Sequence, residues 1–152
     1  MVDADPRRIE RILRNLLVNA LEHGEGQPIE IAIGSNIDAV AVAVRDHGIG
    51  MTADEASRVF DRFWRADPAR ARTTGGSGLG LSIAVEDALL HGGQLQAWGR
   101  PGDGACFRLT LPRRNGVPFS DSPVPLSPYD GAPGTRALAA PAPPVEEKTD
   151  AS

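Results

Sequence analysis

"TTGGSGLGLSIAVEDALLHGG", residues 73–93, decides how the chain is read. Gly75, Gly76, Gly78 and Gly80 crowd six positions directly ahead of a segment with helical spacing. Glycine loses the most conformational entropy on folding and buries no side chain, so four together need a cause. A linker is one reading. The other is that a ligand approaches the backbone where no β-carbon can stand. A linker would not normally run straight into a periodic helix, and the second reading is preferred. A helix beginning near Ser77 points its first amides, which lack partners inside the helix, back at the glycines. Its dipole adds positive potential there, worth roughly 0.3–1 kcal/mol per favourable charge contact. Such a helix start is suited to a phosphate.

The familiar phosphate motifs do not fit. A Walker loop needs Gly-Lys-Ser/Thr, and the one lysine, Lys148, sits near the C-terminus. A dinucleotide fingerprint needs a third glycine where this chain has Leu81, counting from Gly76 and Gly78, or Ala53, counting from Gly48 and Gly50. The lysine clamps of the common serine/threonine kinase fold are missing too.

Two further stretches carry chemistry. "RDHGIGM", residues 45–51, places Asp46 at the end of a strand and turns the chain on Gly48 and Gly50. A carboxylate there can accept from an exocyclic amine, as adenine offers, or can simply cap its own turn. On the first helix Asn15 and Asn19 stand four residues apart on one flank of the apolar stripe. Asparagine oxygens suit Mg²⁺, which keeps waters and takes few protein ligands beside phosphate oxygens. Half-buried structural asparagines are the plainer alternative.

The 152 residues fit one ordinary domain, with 41% hydrophobic residues for its core. A net charge of −4 argues against a general nucleic-acid footprint. The single cysteine, Cys106, excludes an internal disulfide and fits a reducing compartment. No apolar run reaches membrane-spanning length, so no membrane contact is expected of this chain. From residue 115 the composition shifts: eight of the thirteen prolines lie there, without helical or strand period. Residues 115–152 are expected to form a disordered, acidic, Pro-rich tail.

Residues 1–114 read as helix, two strands, short helix and loop, helix, two strands. Asp5, Pro6 and Gly24 bound the first helix, whose stripe is Ile9, Ile12, Leu13, Leu16 and Ala20. "IEIAIG" and "VAVAVRD" make one hairpin; "GGQLQAWG" and "CFRLTLP" make another. The economical architecture is α+β, a two-layer α/β sandwich with a mixed, mostly antiparallel sheet covered by about three helices.

Taken in order, "NLLVNALEHG", "DHGIG", "VFDRFWRAD" and "GGSGLGL" resemble the N, G1, F and G2 boxes of sensor histidine kinases, with similar spacing. Residues 1–114 are thereby identified as resembling the family's catalytic, ATP-binding domain, which has the Bergerat fold. "VDADPRRIERILRNLL", "RFWRADPARAR" and "SIAVEDALLHGGQLQAWGRPGDGACFRLTLP" further resemble the MtrB-type branch of high-GC Gram-positive bacteria. The resemblance implies ATP and Mg²⁺ as ligands. It implies Asn19 as the Mg²⁺ ligand with Asn15 beside it, His23 near the nucleotide, and Asp46 on the adenine amine. Gly48 and Gly50 would shape the base pocket. Gly76, Ser77, Gly78, Leu79 and Gly80 would present amides to the phosphates. Residues 51–75 would be the ATP lid, and Arg65 the F-box arginine that reaches the γ-phosphate.

Two departures stand out. Glu22 occupies a position where the family often carries a cation. And His23, His47 and His91 all lie inside nucleotide-domain motifs, none followed by an acid, so none resembles the family's phosphoacceptor. The expectation is therefore a piece of a larger, membrane-anchored kinase, on its cytoplasmic side. Its partners would be a dimerisation domain bearing the acceptor histidine and, indirectly, a response regulator. An anti-sigma-type serine kinase of the same fold, or a nucleotide-sensing docking module, are the competing readings.

Overall fold

The computed structural model describes residue 2 and residues 4–61, 80–114 and 116–127. Helix α1 spans Pro6–His23, strands β1 and β2 span Glu30–Ser35 and Ala39–Asp46, and the short α2 spans Ala53–Arg58. Helix α3 covers Gly80–Leu90, followed by β3 (Gln94–Gly99) and β4 (Ala105–Pro112). The sheet order is β1-β2-β4-β3, and each of these pairings is antiparallel. Helices lie on one face, giving the expected two-layer α+β sandwich.

Local chemistry sets the helix ends. The Asp5 carboxylate accepts from the Arg7 amide at 3.0 Å, and Pro6 occupies the first turn, where no amide partner is needed. Thr52 and Glu55 form a reciprocal capping box at the start of α2. That helix stops at Arg58, short of the run to Phe63 that its pattern suggests. Gly24 ends α1 for a different reason from the one its position suggests. Its backbone stays right-handed, with φ −84°. A β-carbon there would stand 2.5 Å from the Ala20 carbonyl oxygen and 3.6 Å from the Asp46 β-carbon. Close approach, rather than left-handed backbone, demands the glycine.

Ile12, Leu16 and Ala20 of α1 meet Ala84 and Ala88 of α3 above Val44, Leu95, Phe107, Leu109 and Leu111 of the sheet. At the α1–α3 seam a charge joins the apolar contact. Asp87, with its side chain 2% exposed, accepts from Arg8 Nη1 at 2.9 Å, Arg11 Nη2 at 2.8 Å and Arg11 Nε at 2.8 Å. These bonds, the one to Arg11 foremost, hold the Asp87 carboxyl below its ordinary value against the opposing effect of burial. The same bond raises the Arg11 guanidinium.

Strand β4 is buried along its whole length, so both faces of the sheet are covered at its centre. Phe107, Leu109 and Leu111 face the helices. Cys106, Arg108 and Thr110 face the other way, where residues 116–127 lie over the sheet. Val124 fits among Ala41, Ala43, Trp98 and Cys106. Arg108 donates to the Val124 carbonyl at 2.9 Å and to the Gln96 side chain. Thr110 Oγ1 meets Ser122 Oγ at 2.9 Å. A β-carbon at Gly34 would stand 2.8 Å from Val124 Cγ1, so even the edge strand β1 is shaped to this segment. Composition assigns residues 116–127 to a disordered tail. They form no helix or strand, yet the sheet supplies the hydrogen bonds and apolar cover that the segment cannot supply itself.

Two consequences can be measured. Val124→Asp sets a charge against the Trp98–Cys106 hollow, at a cost of about 1–3 kcal/mol. The segment is then expected to leave the sheet, and the one cysteine to react faster with a thiol reagent, by about tenfold per 1.4 kcal/mol. Unchanged labelling would show that the segment does not guard that face. The second concerns acid. A carboxyl lowered in the folded state stabilises fully above its unfolded value, and that stabilisation is lost as pH falls through the folded value. Wild type should exceed Asp87→Asn by about 1–3 kcal/mol at neutral pH, less than a fully buried pair because both guanidiniums are roughly half exposed. In urea titrations the gap should persist to about pH 5 and close progressively below about pH 4.

Candidate functional site

Strand β2 delivers Asp46 into the molecule at 1% exposure, opposite Ala105 on β4. Its Oδ1 accepts from the Gly48 amide at 2.9 Å, folding residues 46–48 into a tight turn. Three backbone segments close on that turn. A β-carbon at Gly48 would lie 1.7 Å from the His23 carbonyl oxygen and 2.8 Å from Gly24 Cα. One at Gly50, whose φ is +76°, would lie 1.9 Å from the Arg100 carbonyl oxygen. One at Gly104, φ +79°, would lie 2.0 Å from the Asp46 carbonyl oxygen. Gly102 ties the β3–β4 turn to the 46–51 loop by donating to the Ile49 carbonyl at 2.8 Å, and the turn is closed on itself by the Arg100 amide donating to the Gly104 carbonyl at 3.2 Å. Asp46 is thus framed by backbone, and its remaining lone pairs are fixed in direction.

Helix α1 supplies a second feature. Asn15, Asn19 and His23 stand at successive four-residue steps, which brings them onto one flank. The row covers about 12 Å along the axis at 1.5 Å per residue. One end meets the start of α3, where a β-carbon at Gly80 would touch Asn15 Oδ1 at 3.4 Å. The other end is His23, whose carbonyl receives Gly48. Asn15 and Asn19 are both half-buried. The flank thus joins the glycine-led helix start to the Asp46 turn, and an elongated ligand lying along it would touch both.

The structure therefore brings Asn15 to Gly80, His23 to Gly48 and Gly24 to Asp46, while Gly50 meets the β3–β4 turn at Arg100 and Gly104. Arg65, Gly76, Ser77, Gly78 and Leu79 lie outside the described residues, as does most of the lid at 51–75. Gly24 and Gly104 were not anticipated as walls of the pocket. Each had a visible signal, a glycine at the end of a helix or at the entry of a strand, but such glycines also serve ordinary turns. Among the described residues no group of three or more His, Cys, Asp or Glu side chains could hold a metal ion. The donors that fit Mg²⁺ are the neutral amide oxygens of α1, which suit a cation that arrives with phosphate oxygens already bound.

Residues 4–115 match the family model described as histidine kinase-, DNA gyrase B-, and HSP90-like ATPase. The chain is 55% identical to the sensor histidine kinase MtrB of Mycobacterium tuberculosis over 128 residues, 84% of this chain and 23% of that protein. It thus spans about a quarter of the relative's length. Its fold is similar to the catalytic domain of histidine kinase ThkA in a nucleotide-free form, with TM-score 0.63 and 30% identity, covering 74% of this chain and 72% of that one. It is also similar to full-length ShkA, solved in complex with AMPPNP, with TM-score 0.60 and 27% identity, covering 74% of this chain and 23% of that one.

Proposed function

Because this chain belongs to the histidine kinase-, DNA gyrase B- and HSP90-like ATPase family, we propose that it is the ATP-binding catalytic domain of an MtrB-type sensor histidine kinase. The observation that carries the reading is the Asp46 turn. A buried carboxylate anchored by the Gly48 amide and walled by backbone presents fixed acceptors to an exocyclic amine. Adenine bound there runs its phosphates along the Asn15–Asn19 flank toward the start of α3. Gly48 and Gly50 shape the base pocket by letting neighbouring backbone close around the Asp46 turn, and His23 lies at the junction. Asn19 ligates Mg²⁺, with Asn15 beside it. Mg²⁺ held there would supply neutralisation of phosphate charge. The amides of residues 76–80 take the phosphates, and Arg65 meets the γ-phosphate from the 51–75 lid.

Phosphoryl transfer asks mainly for positioning and charge stabilisation, and these groups supply both. The acceptor is a histidine on a dimerisation domain, and the phosphoryl group passes on to an MtrA-type response regulator. Residues 1–114 form the catalytic unit and 115–152 its C-terminal extension. The reaction draws on cytoplasmic ATP. No helix among the described residues is long and apolar enough to cross a membrane.

Calorimetry on the 152-residue chain tests the reading. Wild type should bind ATP and ADP. Asp46→Asn should lose about 10- to 100-fold in affinity, as expected for one hydrogen bond to a charged acceptor. Asn19→Ala should weaken binding only when Mg²⁺ is present. With no acceptor domain added, hydrolysis should be very slow. Absence of nucleotide binding would instead favour a docking module, and acid-stable label on an added substrate would favour a serine kinase.

A further inference from the structure

Helix α3 carries a carboxylate where its buried stripe calls for an aliphatic side chain. Ser82, Ala84, Asp87 and Ala88 are its buried residues. A buried ion pair is a weak source of stability, since well-packed apolar residues often do as well or better. Its stronger property is direction. Arg11 grips Asp87 through two parallel nitrogens, Nε to Oδ2 and Nη2 to Oδ1, both at 2.8 Å, and Arg8 adds a third bond to Oδ1. A fork of this kind fixes distance and orientation together. The apolar seam beside it is Ala84 and Ala88 against Ile12 and Leu16. That seam is non-directional and resists axial sliding poorly.

The clasp has a second tier. The Asp87 carbonyl bonds His91 Nδ1 at 2.8 Å, and His91 Nε2 accepts from the Asp5 amide at 2.9 Å. In this arrangement the imidazole carries its proton on Nδ1. Residues 87–91 are thereby stapled to residues 5–11. Measured from the staple, Gly80 lies two helical turns back along α3, and Asn15 lies one turn on from Arg11 along α1. These two residues lie side by side at the other end of the seam, where a β-carbon at Gly80 would stand 3.4 Å from Asn15 Oδ1.

We propose that Asp87 is a positioning residue for the phosphate end of the nucleotide site: by gripping Arg8 and Arg11 it sets the register of α3 against α1, and so the placement of the first turn of α3 relative to Asn15 and Asn19. Asp87 touches no ligand. It acts through the helix, and it leaves the Asp46 end alone, because Asp46 is held by the sheet and its own loops. The inference rests on the ATP reading above and adds to it which residues keep the phosphate site in shape.

The test uses the 152-residue chain at a temperature where every variant is folded by circular dichroism. Affinities for ATP with Mg²⁺ come from calorimetry, and those for adenosine from chemical-shift titration. Asp87→Asn should weaken MgATP at least tenfold while adenosine changes less than twofold. Arg11→Gln, changed on the exposed side of the clasp, should move the same ratio in the same direction and guards against loss of fold. Asp87→Glu should recover part of the MgATP affinity. Equal weakening of both ligands would show a merely structural residue, and no weakening of either would remove the clasp from the site. Wild type that binds neither ligand would instead overturn the ATP reading, and the proposal with it.

Discussion

Four stretches of backbone meet around Asp46 with no room for a β-carbon between them. The end of α1 presses on Gly48, the β3–β4 turn presses on Gly50, and the end of β2 presses on Gly104 at the entry to β4. Everything else in the site depends on that contact. It fixes where α1 ends, and so where the Asn15–Asn19–His23 flank begins. It fixes the direction in which the carboxylate can accept. It also couples the sheet to the helix layer at one point, since the Asp46 β-carbon and Gly24 approach each other there. A side chain on any of these glycines would have to push backbone rather than another side chain, which makes the arrangement stiff.

The rest of the molecule can be seen as support for that point from two directions. On the helix side, α1 and α3 share an apolar seam whose axial position is set by the Asp87 clasp. On the other side, β4 carries Arg108 and Thr110, polar residues at 4% and 0% exposure in the middle of a sheet. Residues 116–127 make that burial tolerable by offering a carbonyl and a hydroxyl where water would otherwise be needed. The Trp98–Cys106 hollow takes Val124 in the same step. Irregular chain thus does here what a helix does on the opposite face. The 128-residue stretch shared with MtrB is longer than the matched family region, so it reaches beyond the ATPase core.

Much of this was legible in the sequence, and the limits have physical causes. The α1 stripe, both hairpins and the glycine clusters are periodic or punctuated signals, and periodicity is what a single sequence displays best. Asp46, Gly48 and Gly50 were singled out as one constellation, and the structure joins them through a single turn. Gly24 caps α1 as its position suggests, but the need for glycine comes from close approach to the Ala20 carbonyl rather than from a left-handed backbone. Residues 116–127 could not be foreseen, since their order comes from hydrogen bonds to the sheet rather than from any repeat of their own. Asp87 was equally hidden. An acid in "AVEDALL" looks like a solvent-facing charge until its helical phase is compared with Arg8 and Arg11, nearly 80 residues earlier.

Among the described residues two aspartates are 1% exposed, and their surroundings differ. Asp87 accepts three charge-assisted bonds from two guanidiniums, filling both oxygens, and that many donors leave little capacity for a ligand. Asp46 forms no ion pair among the described residues; its bond there is to one backbone amide. Burying a carboxylate with so few donors is unfavourable unless a further donor arrives. The surrounding backbone is too tightly locked to supply one by rearranging. A neutral N–H donor from outside answers that deficit without bringing a charge into the sheet. The adenine amine has that polarity, and the proposed ATP reading therefore rests on the less satisfied of the two carboxylates rather than on the more strongly paired one.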